Sequence, residues 1–129
     1  MGSMMRDVGK EAEKVISNLK EQKGFLRLKT NQIRKFLSAV NTMTNRVNAY
    51  KASHIQATDM PDELAGEIRF LKVKAAYQSG RDRTVEEFMK ACKMEDWIDG
   101  IGTSIKKFEE FSRYMEALVA YHKYYGGKD

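Results

Sequence analysis

The side chains able to do chemistry in this 129-residue chain are few and scattered: His54, His122 and Cys92, with the acids Asp96, Asp99, Glu109, Glu110 and Glu116. Neither histidine has a Cys, Asp or Glu three or four residues away, so neither completes a helical metal pair. Cys92 has no second cysteine to form a disulfide or a thiolate zinc site. No spacing fixes two of the acids around a nucleophile, and there is no G-x-S-x-G, phosphate-binding loop or dinucleotide glycine pattern. The chain reads as catalytically silent, with no metal or other cofactor. His122 falls in an apolar helical arc, where the expected role is a packed imidazole.

What remains is charge and aromatic surface. The net charge of +5 is unevenly spread. Residues 1–19 balance at zero, 20–51 carry eight basic residues against Glu21 alone, 52–68 sum to −4, 69–83 to +4 and 84–129 to −2. Two basic blocks of this kind suit either a solvated helix face or contact with a polyanion, and charge alone leaves both open. Tyr114, Tyr121, Tyr124 and Tyr125 at the far end could stack on bases or line a subunit contact.

The elements that must position these groups read as helices. A single proline, 42% apolar residues and Ala, Leu, Met, Lys and Glu at helical spacing predict an all-α, single-domain bundle of about five helices over 4–129. Met1–Gly2–Ser3 ahead of Met4 reads as a cloning scar. No apolar stretch reaches the roughly 20 residues needed to span a bilayer, so a cytoplasmic protein with no membrane contact is expected. The first helix starts at an Asp7 N-cap and stops at Gly24. The second, capped by Thr30, buries Ile33, Phe36, Leu37, Val40, Met43 and Val47 and turns two acid-free polar stripes outward, one with Arg34 and one with Lys35.

Lys51–Met60 loses the periodicity and reads as a flexible loop, with Pro61 in the first turn of the helix that follows. That helix carries two apolar stripes, Leu64, Ile68, Leu71 and Ala75 on one side and Phe70, Val73 and Tyr77 nearly opposite. This predicts a central position, with Arg69 and Lys72 on one narrow solvent strip, Lys74 and Gln78 on the other, and Gly80 as a left-handed C-cap before Arg81. Thr84 and Glu87 form a capping box for a shorter helix, continued by a turn near Trp97. Gly100 and Gly102 precede the final helix, Thr103–Tyr125, whose wide apolar arc holds the bundle together. The methionines at helical spacing read as core filler.

Three segments resemble the small helical subunit of the Csm complex, the RNA-guided type III-A CRISPR effector: LKTNQIRKFLSAV at 28–40, IRFLKVKAAYQSGRD at 68–82 and RYMEALVAYHKYYGGKD at 113–129. The last departs from the family pattern at His122, where Phe is usual. The resemblance implies a non-catalytic subunit that stacks with copies of itself in a minor filament beside other Csm subunits, the backbone and large subunits. The filament lines the groove where crRNA and target single-stranded RNA pair. The basic blocks taken together with these segments point to Arg34, Lys35, Arg69, Lys72, Lys74 and Arg81 as RNA-binding residues, with Arg34, Lys35, Lys72 and Arg81 along one groove, and the separation of the tail from those blocks points to Tyr114, Tyr121 and Tyr125 as subunit-interface residues. The alternatives are a purely protein–protein scaffold whose basic face is merely solvated, and an unrelated helical DNA-binding module.

Overall fold

The computed structural model describes residues 7–24 and 26–128; Met1–Ser3, read as a scar, lie outside the described residues. Those residues form seven helices and no strand: α1 (Val8–Lys23), α2 (Thr30–Ser53), α3 (Asp62–Arg69), α4 (Leu71–Arg81), α5 (Arg83–Ala91), α6 (Met94–Ile101) and α7 (Ile105–Tyr124). The all-α expectation holds. Seven helices stand where about five were expected because the long helix from Pro61 is broken at Phe70 and the turn around Trp97 is a helix in its own right.

Local chemistry sets most of the ends. The Asp7 carboxylate accepts from Lys10 N–H at 3.0 Å, and Gly24 closes α1 at φ 76°, a left-handed conformation that glycine adopts without a Cβ penalty. Three expected caps are displaced. Lys29, not Thr30, is the N-cap of α2, and its N–H is satisfied by the Gln32 side chain at 2.9 Å. Gly80 lies inside α4, which runs one residue further and stops because Asp82 is extended (φ −146°). Asp82, not Thr84, then caps α5, accepting from Thr84 N–H at 2.8 Å and its hydroxyl at 2.7 Å. These bonds, the Thr84 hydroxyl foremost, hold the Asp82 carboxyl below the usual carboxylate range. Pro61 sits one position earlier than expected, as the N-cap of α3.

Helix α7 is the axis of the fold, packing most extensively on α1 and then on α2 and α6. Its inward arc is as anticipated, with Ile105, Phe108, Phe111, Ser112, Met115 and Leu118 buried. Met60, Met89, Met94 and Met115 fill the core around it. The expected flexible loop is shorter and better held than its composition suggests. Residues 51–53 belong to α2, and the connection is stitched to the start of α7 by Met60 N–H to the Thr103 carbonyl (2.8 Å) and Ile105 N–H to the Thr58 carbonyl (3.1 Å).

The far end of α7 is closed by His122. Only 1% exposed, it donates from Nε2 to the Leu28 carbonyl at 2.5 Å and accepts at Nδ1 from the Thr30 hydroxyl at 3.2 Å. This neutral tautomer satisfies both nitrogens, since a carbonyl can only accept. Thr30 N–H donates to the Lys128 carbonyl at 2.7 Å, so the chain end wraps over the ring. A Cβ at Gly127 would lie 2.1 Å from the imidazole, which makes glycine necessary there for a steric reason.

Two outcomes follow from this closure. Gly127→Ala should lower stability by about 1–3 kcal/mol in urea titration, because the overpacked ring must shift off both partners; an unchanged midpoint would show that the chain end swings aside freely. Burial holds the His122 imidazole below its ordinary value of 6.5. Between the two pKa values the unfolded chain binds the extra proton. Stability is therefore fully present above about pH 6.5 and declines as pH falls toward the folded value, by at most about 1.4 kcal/mol per pH unit. His122→Phe should be less stable at neutral pH, having orphaned the Leu28 carbonyl, yet lose this portion of the slope.

Candidate nucleic-acid interface

Arg34, Lys35, Lys72 and Arg81, expected along one groove, do not all share it. Lys72 turns toward α6 and pairs with Asp99 at 2.7 Å, a contact that raises its pKa through the hydrogen bond first. At 100° per residue Arg34 lies a quarter-turn around α2 from Lys35, and Arg69 lies on the Lys72 side of the α3–α4 rod. Lys35, Lys74 and Arg81 do come together, along the seam where α4 crosses α2. There a shallow groove is lined by Lys35, Phe36 and Ala39 from α2 and by Val73, Lys74, Tyr77 and Gln78 from α4. It continues past Thr42, Met43 and Phe70.

The second apolar stripe of the rod, expected to be buried, is the wall of this groove. Phe70, Val73 and Tyr77 are 55%, 52% and 63% exposed, because only the Leu71 and Ala75 face of α4 reaches the core. The rod is thus an outer element, and the central position predicted from two stripes is corrected. Arg81 lies one helical turn beyond Tyr77 with its guanidinium carbon 5.6 Å from the ring centroid.

Besides Lys72, several cations are held in salt bridges. Arg46 pairs with Glu67, Lys51 with Glu109 at 2.5 Å, Lys23 with Glu87 at 3.5 Å and Lys90 with Glu86 at 3.6 Å. Glu67 and Asp82, two acids that could have neutralised Arg34 or Arg81, are engaged elsewhere, Glu67 by Arg46 and Asp82 by Thr84 and Gln32. Among the described residues no salt bridge involves Arg34, Lys35, Lys74 or Arg81. Their charge faces solvent.

The tyrosines divide. Tyr114, expected at a subunit contact, is a core residue: it is 2% exposed, donates to the Cys92 carbonyl at 3.0 Å and stacks on Trp97 at 4.3 Å between centroids. Its place on α7 turns it toward α5 and α6, which sequence spacing alone did not disclose. Tyr121 and Tyr125 are half-buried, and the Tyr125 hydroxyl donates to Glu13 at 2.7 Å, a bond that contributes most to pushing its pKa up to about 12. Tyr124, 77% exposed, completes an edge-to-face cluster with them. Cys92 is buried, and desolvation pushes its thiol up to about 12, so it stays protonated. Among the described residues no group of three His, Cys, Asp or Glu could hold a metal ion, and no helix is long and apolar enough to cross a membrane.

Fold and surface together define a small helical module that carries a cationic, ring-walled seam on its outside. Its family is plain from comparison with known proteins: the chain belongs to the Csm2 Type III-A family, whose model matches residues 2–128. It is 38% identical over 120 residues to the CRISPR system Cms protein Csm2 of Streptococcus thermophilus, covering 92% of this chain and 91% of the relative. The protein of the same description from Mycobacterium tuberculosis is 35% identical over 129 residues, covering 100% and 99%. That from Enterococcus italicus is 32% identical over 100 residues, covering 76% and 68%.

Removing one hydroxyl distinguishes core tyrosine from surface tyrosine. Tyr114→Phe should cost about 1–3 kcal/mol by leaving the buried Cys92 carbonyl without that donor. Tyr124→Phe, which removes an exposed hydroxyl and keeps the ring cluster, should stay within about 0.5 kcal/mol of the parent. Equal midpoints for the two variants in chemical denaturation would contradict this division.

Proposed function

We propose that this chain is a non-catalytic small subunit of a type III-A CRISPR interference complex in the cytoplasm. It binds crRNA and target single-stranded RNA through the α2–α4 seam and assembles with other Csm subunits and with copies of itself in a minor filament. Family membership supports the complex. The observation that supports RNA contact is the meeting of Lys35 and Lys74 in one groove beside exposed rings, with Arg81 at the Tyr77 ring and the neighbouring acids Glu67 and Asp82 engaged by other residues. Unneutralised cations spaced along one groove suit phosphate contact without sequence preference, through counterion release. A helix-turn-helix reading of duplex DNA fits less well, because α4 is packed against α2, α5 and α6 instead of projecting as a recognition helix.

The exposed Tyr124 edge, with Tyr121 beside it, supplies a surface for packing against a neighbouring subunit. Tyr125 contributes less directly, since its hydroxyl is committed to Glu13.

For three to five contacted phosphates, the log–log salt dependence of single-stranded RNA affinity should have a slope of about −2 to −4, measured by fluorescence anisotropy. Neutralising Lys35, Lys74 or Arg81 should each reduce the slope by about 0.7 and weaken binding alike across RNA sequences. Lys72→Ala, which removes a charge already paired with Asp99, should alter it little. A flat salt response would remove the electrostatic reading and favour a purely protein–protein scaffold.

A further inference from the structure

We infer that Tyr77 is a base-stacking residue, and that the seam therefore takes an unpaired RNA base as well as backbone phosphate. This rests on the RNA-binding reading above and adds to it a contact that cations cannot make. Three observations meet at the residue. The Tyr77 ring is 63% exposed although it lies within an ordered helix, so its apolar face is left to solvent by the fold. It lines the groove beside Lys35 and Lys74, which among the described residues form no ion pair. Arg81, one turn on, holds its guanidinium carbon 5.6 Å from the ring centroid.

The chemistry that fits a flat ring between free cations is a flat, electron-rich heterocycle carried on a polyanion. A base can stack on the phenol face away from Arg81 while the adjoining phosphates meet the lysines, and the guanidinium over the other face backs the platform. Stacking requires the base to be out of its helix, since the faces of paired bases are covered by their neighbours. A second protein would be expected to need acidic groups against the same cations and gains nothing particular from the ring–guanidinium pair. Charge complementarity therefore favours nucleic acid as the occupant. Helix α4 is fixed at its end by Asp82, so the ring is presented on a rigid element and little side-chain freedom is lost on binding.

The test compares a single-stranded RNA oligonucleotide, the same length of abasic phosphodiester and an A-form RNA duplex, on the parent chain and on Tyr77→Phe and Tyr77→Leu. Tyr77→Phe keeps the face and should bind as the parent does. Tyr77→Leu keeps apolar bulk but not the face; its affinity for single-stranded RNA should fall about 5- to 100-fold with an unchanged salt slope, while its affinity for the abasic strand stays the same. Because the residue is exposed, Leu should leave the melting temperature close to that of the parent, which circular dichroism checks. Equal binding of abasic strand and RNA by the parent would overturn stacking and leave phosphate contact standing. Failure of the parent to bind any of the three would overturn the RNA reading and this inference with it. Loss of co-assembly with Csm subunits by Tyr77→Leu at unchanged RNA affinity would make the ring a protein contact instead.

Discussion

The His122 closure is the constraint on which the arrangement of the helices turns. One buried imidazole, bonded to the Leu28 carbonyl and the Thr30 hydroxyl, fixes where α2 begins relative to where α7 ends. From there the linkage passes outward. Gln32, in the first turn of α2, reaches Asp82 at 2.5 Å, and Asp82 is at once the end of α4 and the cap of α5. The crossing of α4 over α2, and hence the seam, is set by a short chain of hydrogen bonds running back to one neutral histidine. A fully satisfied buried network of this kind specifies geometry more strongly than its net energy suggests. Among the described residues no buried side-chain nitrogen or oxygen lacks a partner.

What marks the seam is the setting of its cations, which lie beside exposed apolar side chains and rings. Some cations are matched to acids on neighbouring helices, as Arg46 is to Glu67 and Lys51 to Glu109. Such exposed pairs add little stability, but they neutralise the field locally. Along α2 and α4 the charges of Lys35 and Lys74 form no salt bridge among the described residues, Arg81 has the Tyr77 ring as its neighbour, and Phe70, Val73 and Tyr77 are more than half exposed. A fold that satisfies its polar groups so fully inside, yet leaves rings and cations together on one outer seam, has the character of a binding surface. That character agrees with membership of the Csm2 Type III-A family.

Much was legible in the chain itself. Helical class followed from composition and period, because the apolar arc of α7 and the inward residues of α2 recur at 3.6-residue spacing whatever packs against them. The ends of α1 were legible too: an Asp side chain reaches its own N-terminal N–H groups, and a glycine can turn left-handed, without help from distant residues. The concentration of cations in 20–51 and 69–83 was likewise a property of sequence, as was the family resemblance carried by three segments.

Tertiary structure decided which of those groups face one another. Two apolar stripes on one rod looked alike in sequence; only the packing of α5 and α6 against α4 covers one and leaves Phe70, Val73 and Tyr77 open. Lys72 and Lys74 are two residues apart, yet one meets Asp99 from α6 and the other faces solvent in the seam, because two residues is more than half a helical turn. Thr30 looked like a cap until the fold brought His122, 92 residues away, to its hydroxyl. Local chemistry is set within a few residues of the chain, whereas pairing, burial and the sharing of a groove depend on distances that only the folded chain closes.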